Sequence, residues 1–219
     1  MVCGYSADSQ FHLRWNRREY MPRLLVATGN PGKLFEIQSL LDDIHIELIT
    51  PDIVGIALTV EENGDTYEEN AALKARAFAH LSCLVTLADD SGLEVDVLDG
   101  LPGIRSARFS PMPNATDADR RAYLLNMLSD QNHPWKSHFH CTVAIATPQN
   151  RIYFAQGNCI GEIIADERGT NGFGYDPIFL LPEIGLTMAE LTTEQKNRLS
   201  HRARAVKAAL PILHALFPQ

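Results

Sequence analysis

The chain has 219 residues, 45% of them hydrophobic and 21% charged, which is the balance of an ordinary globular protein. That length suits one domain with a substantial core, or one two-lobed unit. A net charge of −8 argues against a nucleic-acid polymer as partner, because a duplex binder needs a basic face, whereas a single nucleotide needs only a local cluster of cations.

Residues 1–20 are polar and lack the apolar core of a signal peptide. They read as a disordered extension or an upstream start codon rather than a targeting arm. Residues 1–21 are therefore set apart as an N-terminal extension, and the fold is expected over 22–219. Residues 24–27 form an apolar run closed by a Gly/Asn/Pro turn, which predicts a buried strand. Leu34, Ile37 and Leu41 then recur at helical spacing, and residues 45–49 predict a second strand. Strand, loop, helix and strand in that order predict a parallel crossover. Thr66 with Glu69 makes a capping box that opens an alanine-rich helix running through His80.

Residues 83–88 predict the next strand, resumed at 93–97 after the Asp89-Asp90-Ser91-Gly92 interruption. Thr116 and Asp119 repeat the capping pattern before a third helix that carries Leu124 and Leu128. Beyond Pro134 the chain is β-rich over 139–146, 152–156 and 159–164, with a hairpin turn at Pro148-Gln149-Asn150. A glycine-rich loop over 169–174 precedes a strand at 178–181, and from Thr192 the chain is helical, with breaks expected near Ser200 and at Pro211. The expected fold class is α/β or α+β with a mixed sheet, in one unit with a cleft. Cys3, Cys83, Cys141 and Cys159 show no C-x-x-C spacing, and the last three lie in apolar runs. Neither a disulfide framework nor a zinc site is expected, and a reducing cytosol fits. No run of apolar residues is long enough for a membrane span.

Four strings carry chemistry. Thr28-Gly29-Asn30-Pro31-Gly32-Lys33 joins a strand to a helix, where unpaired amides and the helix dipole favour an anion. Gly29 and Gly32 let the backbone approach a phosphate, and Lys33 adds a positive charge; an ordinary tight connection is the alternative. The spacing is not that of a Walker A loop. Asp89 and Asp90 read as a strand end preceding a turn, with one of the two facing the ligand because adjacent strand side chains point to opposite faces. With Glu61 and Glu62 they suggest Mg2+ held by one or two carboxylates, or else plain turn chemistry. Phe173, Tyr175 and Asp176 suit stacking on a planar base with a carboxylate nearby, or else a buried aromatic anchor. Lys196, His201 and Arg202 bring charge and donors, or else form a solvated helix face. His138 and His140 share one face of a strand, lack a third ligand and read as structural.

In order along the chain, Ala27 to Lys33, Glu61-Glu62-Asn63-Gly64, Glu69-Asn70-Ala71, Leu73-Lys74-Ala75-Arg76, Ala88 to Gly92, Pro102-Gly103-Ile104, Ser106-Ala107-Arg108, Gly172 to Pro177 and Ser200-His201-Arg202 together resemble the inosine triphosphate pyrophosphatases. The resemblance spans about 21–210, and Asn171 and Ala203 stand where glycine is common in that family. It implies an elongated mixed-sheet α/β fold with a central cleft between two lobes. It also implies hydrolysis of dITP, ITP and XTP to monophosphate and pyrophosphate, with Mg2+, by a cytoplasmic homodimer. On the same basis Thr28, Gly29, Asn30, Pro31, Gly32 and Lys33 grip the triphosphate, and Asp90 is proton acceptor and metal ligand. Glu62 is the second metal ligand of its pair, and Ser91, Phe173, Gly174, Tyr175, Asp176, Lys196, His201 and Arg202 contact substrate. A pyrophosphatase for other modified nucleoside triphosphates and a non-catalytic nucleotide-binding regulator are the competing readings.

Overall fold

The structure is a computed structural model that describes residues 21–218, so nearly all of the N-terminal extension and Cys3 lie outside the described residues. Strand β1 (Arg23–Val26) leads through the Asn30 cap into helix α1 (Pro31–Leu41), followed by β2 (Glu47–Ile49), α2 (Tyr67–Ser82) and β3 (Val85–Val95). Helix α3 (Asp117–Leu128) precedes the long hairpin of β4 (Trp135–Ala146) and β5 (Ile152–Ile163). Two short strands, β6 (Phe179–Leu181) and β7 (Leu186–Thr187), and helices α4 (Thr193–Leu199) and α5 (His201–Leu216) complete the chain. One mixed sheet of seven strands runs β2-β1-β3-β4-β5-β6-β7. The expected parallel crossover is present, since β1 pairs in parallel with both β2 and β3, while β3, β4 and β5 pair antiparallel.

Strand alternation sorts the core onto the two faces of this sheet. Leu24, Val26, Leu87, Val143 and Ile145 face α1 and α5, where they meet Ile37, Leu41, Val206 and Leu213. Leu25, Ala88, Ala144 and Ala146 face the opposite way onto Ala71, Ala75 and Ala79 of α2. Small residues on both sides let that helix approach the sheet closely. Further along the sheet, on the α5 side, Leu93, Phe139, Cys159 and Phe179 pack with Leu124 and Leu128 of α3 in a separate cluster. These clusters form two lobes joined by β3, β4 and β5.

Four sequence expectations are corrected. Asp89 to Gly92 is no turn: β3 continues through it, paired residue by residue with Val143 to His140 of β4. Turn-forming residues are tolerated there because the long partner strand supplies the ladder. Likewise β5 is one strand rather than two, because β4 pairs along its whole length. Helix α5 breaks from α4 at Ser200, its N-cap, but runs through Pro211 to Leu216. Burial of Val206, Ala209 and Leu213 offsets the proline cost. Cys83 is exposed at the left-handed C-cap of α2, whereas Cys141 and Cys159 are buried as expected, and all three are free thiols.

Candidate active site

The cleft exists because the edge of β3 is shared unequally. Its pairing with β1 stops at Leu87, where Ala27 N–H donates to the Leu87 carbonyl at 2.8 Å. At the other end a 3-10 turn, Gly103–Arg108, folds back onto the same edge, with Leu93 N–H donating to Ser106 Oγ at 2.9 Å. Gly92 makes this possible, since a Cβ there would collide with the Gly103 carbonyl. Between the two partners the edge at Asp89 to Ser91 stands open.

Two connected cavities meet over that gap. The smaller and less open one, of about 150 Å3, has Phe173, His201, Arg202, Ser91 and Asp90 in its wall. An open one of about 610 Å3 has Thr28, Gly29, Thr59 and Lys74 along it. Asn30, Lys33 and Glu62 border both. Gly174, Tyr175, Asp176 and Lys196 also line the smaller cavity, so most residues singled out in the sequence converge here. Pro31 and Gly32 line neither, and Glu61 is exposed away from both.

The phosphate-type loop is stitched differently from expectation. Asn30 Oδ1 accepts from Gly32 N–H at 2.8 Å and Lys33 N–H at 3.1 Å, while Thr28 Oγ1 accepts from Asn30 N–H at 3.2 Å. The first amides of α1 thus serve an N-cap instead of standing open for an anion. Gly32 is needed for a different neighbour, because a Cβ on it would lie 2.5 Å from the Phe173 ring. Lys33 belongs to α1 and not to an exposed loop, and its Nζ lies 3.1 Å from Asp89 Oδ2 with the side chain 16% exposed.

Behind the smaller cavity lies a buried charge network that the sequence reading did not assemble. Arg202, 2% exposed, donates from Nε to Asp89 Oδ2 at 3.1 Å, from Nη1 to Glu36, and from Nη2 to Ser91 Oγ at 2.9 Å. Lys196 joins Glu36 at 2.6 Å to Asp176 at 2.7 Å. A solvated face is therefore ruled out for both cations. Burial would raise the Asp89 carboxyl, but Lys33, Arg202 and Lys74 outweigh it and hold it well below the usual carboxylate range. Burial likewise opposes Arg202 and Lys196 at Glu36, and the two cations prevail and lower it. Arg202 keeps a second N–H on each terminal nitrogen for a ligand.

Asp90 points to the other face, toward α2, as alternation requires. Asn70 Nδ2 donates to its Oδ2 at 3.1 Å, and Ser91 N–H donates to its Oδ1 at 2.9 Å. Asn70 is itself fixed, since its Oδ1 accepts from Gly64 N–H at 2.8 Å. Burial pushes Asp90 above the ordinary carboxylate range; Lys33 opposes the rise and Glu62 adds to it. Glu62 is paired with Lys74, whose own pKa is raised because Asp89 and Glu62 outweigh its burial.

The aromatic loop divides its work. Phe173 presents its ring beneath Lys196 Nζ and Arg202 Cζ, 5.3 and 5.6 Å from the centroid. Tyr175 is the buried anchor, its hydroxyl donating to the Ser106 carbonyl at 3.0 Å. Asp176 is fully enclosed, accepting from Phe173 N–H at 3.0 Å and from Lys196, and burial raises it despite that cation. His201 stacks on Phe139 at 4.6 Å, and burial, then Arg202 and Lys196, push its pKa well below the usual value. Its Nδ1 is buried without a hydrogen-bond partner, and the residue lines the smaller cavity. His138 and His140 lie elsewhere, engaged with Glu94 and with Asn158 and Thr142. Asn171, at the position where glycine is common, ties the loop down by donating to the Leu191 carbonyl at 3.0 Å.

Glu36 is not singled out in the sequence, and Asn70 and Lys74 stand in strings that carry the resemblance without a role being given to them. Asn70 and Lys74 lie four apart on α2, and Lys33 and Glu36 three apart on α1, so helical spacing places each pair on one face. That signal shows a shared face but not what it meets.

An aromatic pocket with a fixed carboxylate in its wall, beside an open cleft that holds Lys33 and Lys74, is the arrangement of a nucleotide-handling hydrolase site. Comparison with known proteins agrees: the Ham1 family model matches residues 24–212, and the chain belongs to that family. It is 44% identical over 188 residues to a dITP/XTP pyrophosphatase of Listeria innocua, covering 85% of this chain and 92% of that one. It is 43% identical over 197 residues to a dITP/XTP pyrophosphatase of Desulforamulus reducens, covering 89% and 97%. The Coxiella burnetii HAM1 protein superposes with a TM-score of 0.81 at 38% identity, over 89% of this chain and all of that one. The Staphylococcus aureus Ham1 protein gives 0.78 at 36%, over 89% and 99%.

Proposed function

We propose that this chain hydrolyses dITP, ITP and XTP to the nucleoside monophosphate and pyrophosphate. One observation carries the reading: the Asp90 carboxylate, raised in pKa and held by Asn70 and Ser91, stands in the wall of the smaller pocket together with Lys33 and Glu62, which also border the open cleft. A base in the pocket and a triphosphate in the cleft bring the α-phosphorus beside it.

The donor set fits a hard divalent cation. Asp90 and Glu62 supply two carboxylates to the wall of the smaller cavity, which suits Mg2+, an ion that keeps waters and takes substrate phosphate oxygens. Bound there, Mg2+ would neutralise phosphate charge. The chain's own groups do the rest. Lys33 attracts the triphosphate, and Phe173 offers a face for the base. The remaining N–H groups of Arg202 and the neutral His201 face the keto-purine edge. Asp90 orients a water and takes its proton as the water attacks the α-phosphorus and pyrophosphate departs. A donor aimed at O6 has no acceptor to meet in adenine, which disfavours ATP.

The protein acts as a cytoplasmic homodimer in this reading. Free Cys83, Cys141 and Cys159 support a reducing compartment, and among the described residues no helix is long and apolar enough to cross a membrane. The dimer reading comes from the family resemblance, and the face of β5 that α5 does not cover, where Ile160 is 79% exposed and Phe154 40%, is compatible with it. The catalytic unit is 22–219. The test is pyrophosphate and monophosphate release from a panel of dITP, ITP, XTP, ATP, GTP and modified pyrimidine triphosphates with Mg2+. Turnover confined to ATP or GTP, or none at all, would sink the reading.

A further inference from the structure

The loop that carries Phe173 has little stiffness of its own. Gly172 and Gly174 both sit in the left-handed region, at φ +77° and +62°, and no atom lies within 4 Å of where a Cβ on Gly174 would stand. Such a segment keeps one conformation only if neighbours hold its peptide groups. From the inside, Asp176 accepts from Phe173 N–H and is itself held by Lys196, which donates to the same carboxylate oxygen. The outer grip comes from α3, which no motif in the sequence pointed to.

Asp117 Oδ2 accepts from Gly174 N–H at 2.7 Å, and Arg121 Nη1 donates to the Gly174 carbonyl at 2.8 Å. The two side chains are four residues apart and so share one face of the helix. The Thr116–Asp119 capping box fixes where the helix starts, and so fixes which residues occupy that face. Arg121 is oriented in turn by a two-pronged pair with Glu167 at 2.8 and 2.9 Å. Arg120 pairs with the second oxygen of Asp117. Leu124 and Leu128 anchor the same helix in the core independently of these contacts. Both peptide groups of Gly174 are therefore clamped by a rigid element whose fold does not depend on the clamp.

We infer that Asp117 and Arg121 are positioning residues for base recognition, holding the Phe173 platform at the height at which a keto-purine base stacks. The inference rests on the proposed reaction, and its site borders the smaller cavity, since Asp117, Arg120 and Gly174 all line it. Neither residue borders the open phosphate cleft. The clamp therefore acts on the base and not on the phosphates.

The experiment compares Asp117→Ala, Asp117→Asn and Arg121→Lys with the wild type, reading KM and kcat for ITP and inhibition by inorganic pyrophosphate. Wild-type turnover of ITP is the control for the reaction itself; its absence would overturn that reading and, with it, this one. Given turnover, Asp117→Ala is expected to raise KM for ITP about tenfold, the scale of one lost charge-assisted hydrogen bond, with kcat and the pyrophosphate inhibition constant within about twofold of wild type. Asp117→Asn keeps an oxygen that accepts from Gly174 N–H and is expected to restore most of the affinity. Should Asp117→Ala fail to fold, Arg121→Lys carries the test with a smaller KM rise, because it keeps the charge and loses the fork. An unchanged KM in the variants overturns the inference. So does an Asp117→Asn variant as weak as Asp117→Ala, or a parallel loss of pyrophosphate inhibition, which would mark a general disturbance of the fold.

Discussion

The two ends of the cleft are built by opposite means. At the phosphate end, Thr28, Asn30 and Lys33 are neighbours in sequence, their backbone linked by short-range hydrogen bonds beside the open cleft, with only the Lys33 side chain reaching inward to Asp89. At the base end, Arg202 reaches Glu36, Asp89 and Ser91 across more than a hundred residues, in a largely buried network. A site that meets a hydrated triphosphate can be local and wet. A site that must reject adenine needs dry, fixed donors, and those are costly to assemble and costly to break.

Asp90 stands between the ends, and its loss should have the largest effect. Asp90→Asn is expected to lower kcat for ITP by at least about a hundredfold while the melting midpoint stays within a few degrees. Activity within threefold of wild type at saturating Mg2+ would remove Asp90 from its role. Next comes Arg202→Ala, which takes one of two cations from each of the buried Asp89 and Glu36 and leaves them to Lys33 and Lys196 alone. A stability loss of about 3 kcal/mol is expected, read as a fall in the midpoint of urea unfolding. An Arg202→Ala variant as stable as wild type would contradict the contrast drawn between the two ends.

Lys33→Ala should cost less, about tenfold in kcat/KM, and it carries a diagnostic in its pH profile. Lys33 opposes the upward shift of Asp90, so removing it raises that pKa further. The acid limb of the kcat profile should then move to higher pH; a limb that stays put would separate Lys33 from Asp90 electrostatically. The smallest effect expected is in stability against pH. His201 is held well below its usual pKa, so the stability it contributes is complete above about pH 6.5 and is lost as pH falls toward its folded value. Asp89 and Glu36 are lowered too, and their share stays complete down to about pH 4 before it falls away. Asp90 and Asp176, raised by burial, work the other way as they take up protons, so the test is the difference: between pH 8 and pH 4 stability should fall less in His201→Asn than in wild type.

The same contrast explains what could be read in the sequence. Elements announced by local chemistry were legible: the Asn30 turn, the Thr116 capping box, the alanine face of α2 and the Ser200 break. Asp89-Asp90-Ser91-Gly92 has good turn residues, and only pairing with β4 makes it a strand interior. That information lies some fifty residues away in the chain. Arg202 and Lys196 could be singled out by type, but their burial depends on Glu36, which looks like any acidic residue on a surface helix until α4 and α5 fold over it. The role of α3 left no motif, because its two contacts go to backbone atoms of Gly174 and make no demand on the side chain there.

Phe173 rests directly on the bare Cα of Gly32, in the first turn of α1. The platform for the base and the helix that carries Lys33 are thus in van der Waals contact, with no solvent layer between them. Neither can close on the other, although the ring is free to lift away from the helix. The span from base to phosphate is set by a stack of atoms, as the gap of a caliper is set by its jaws. A nucleotide is then gauged along its length as well as by its edge, and a methyl group added at position 32 would force the jaws apart.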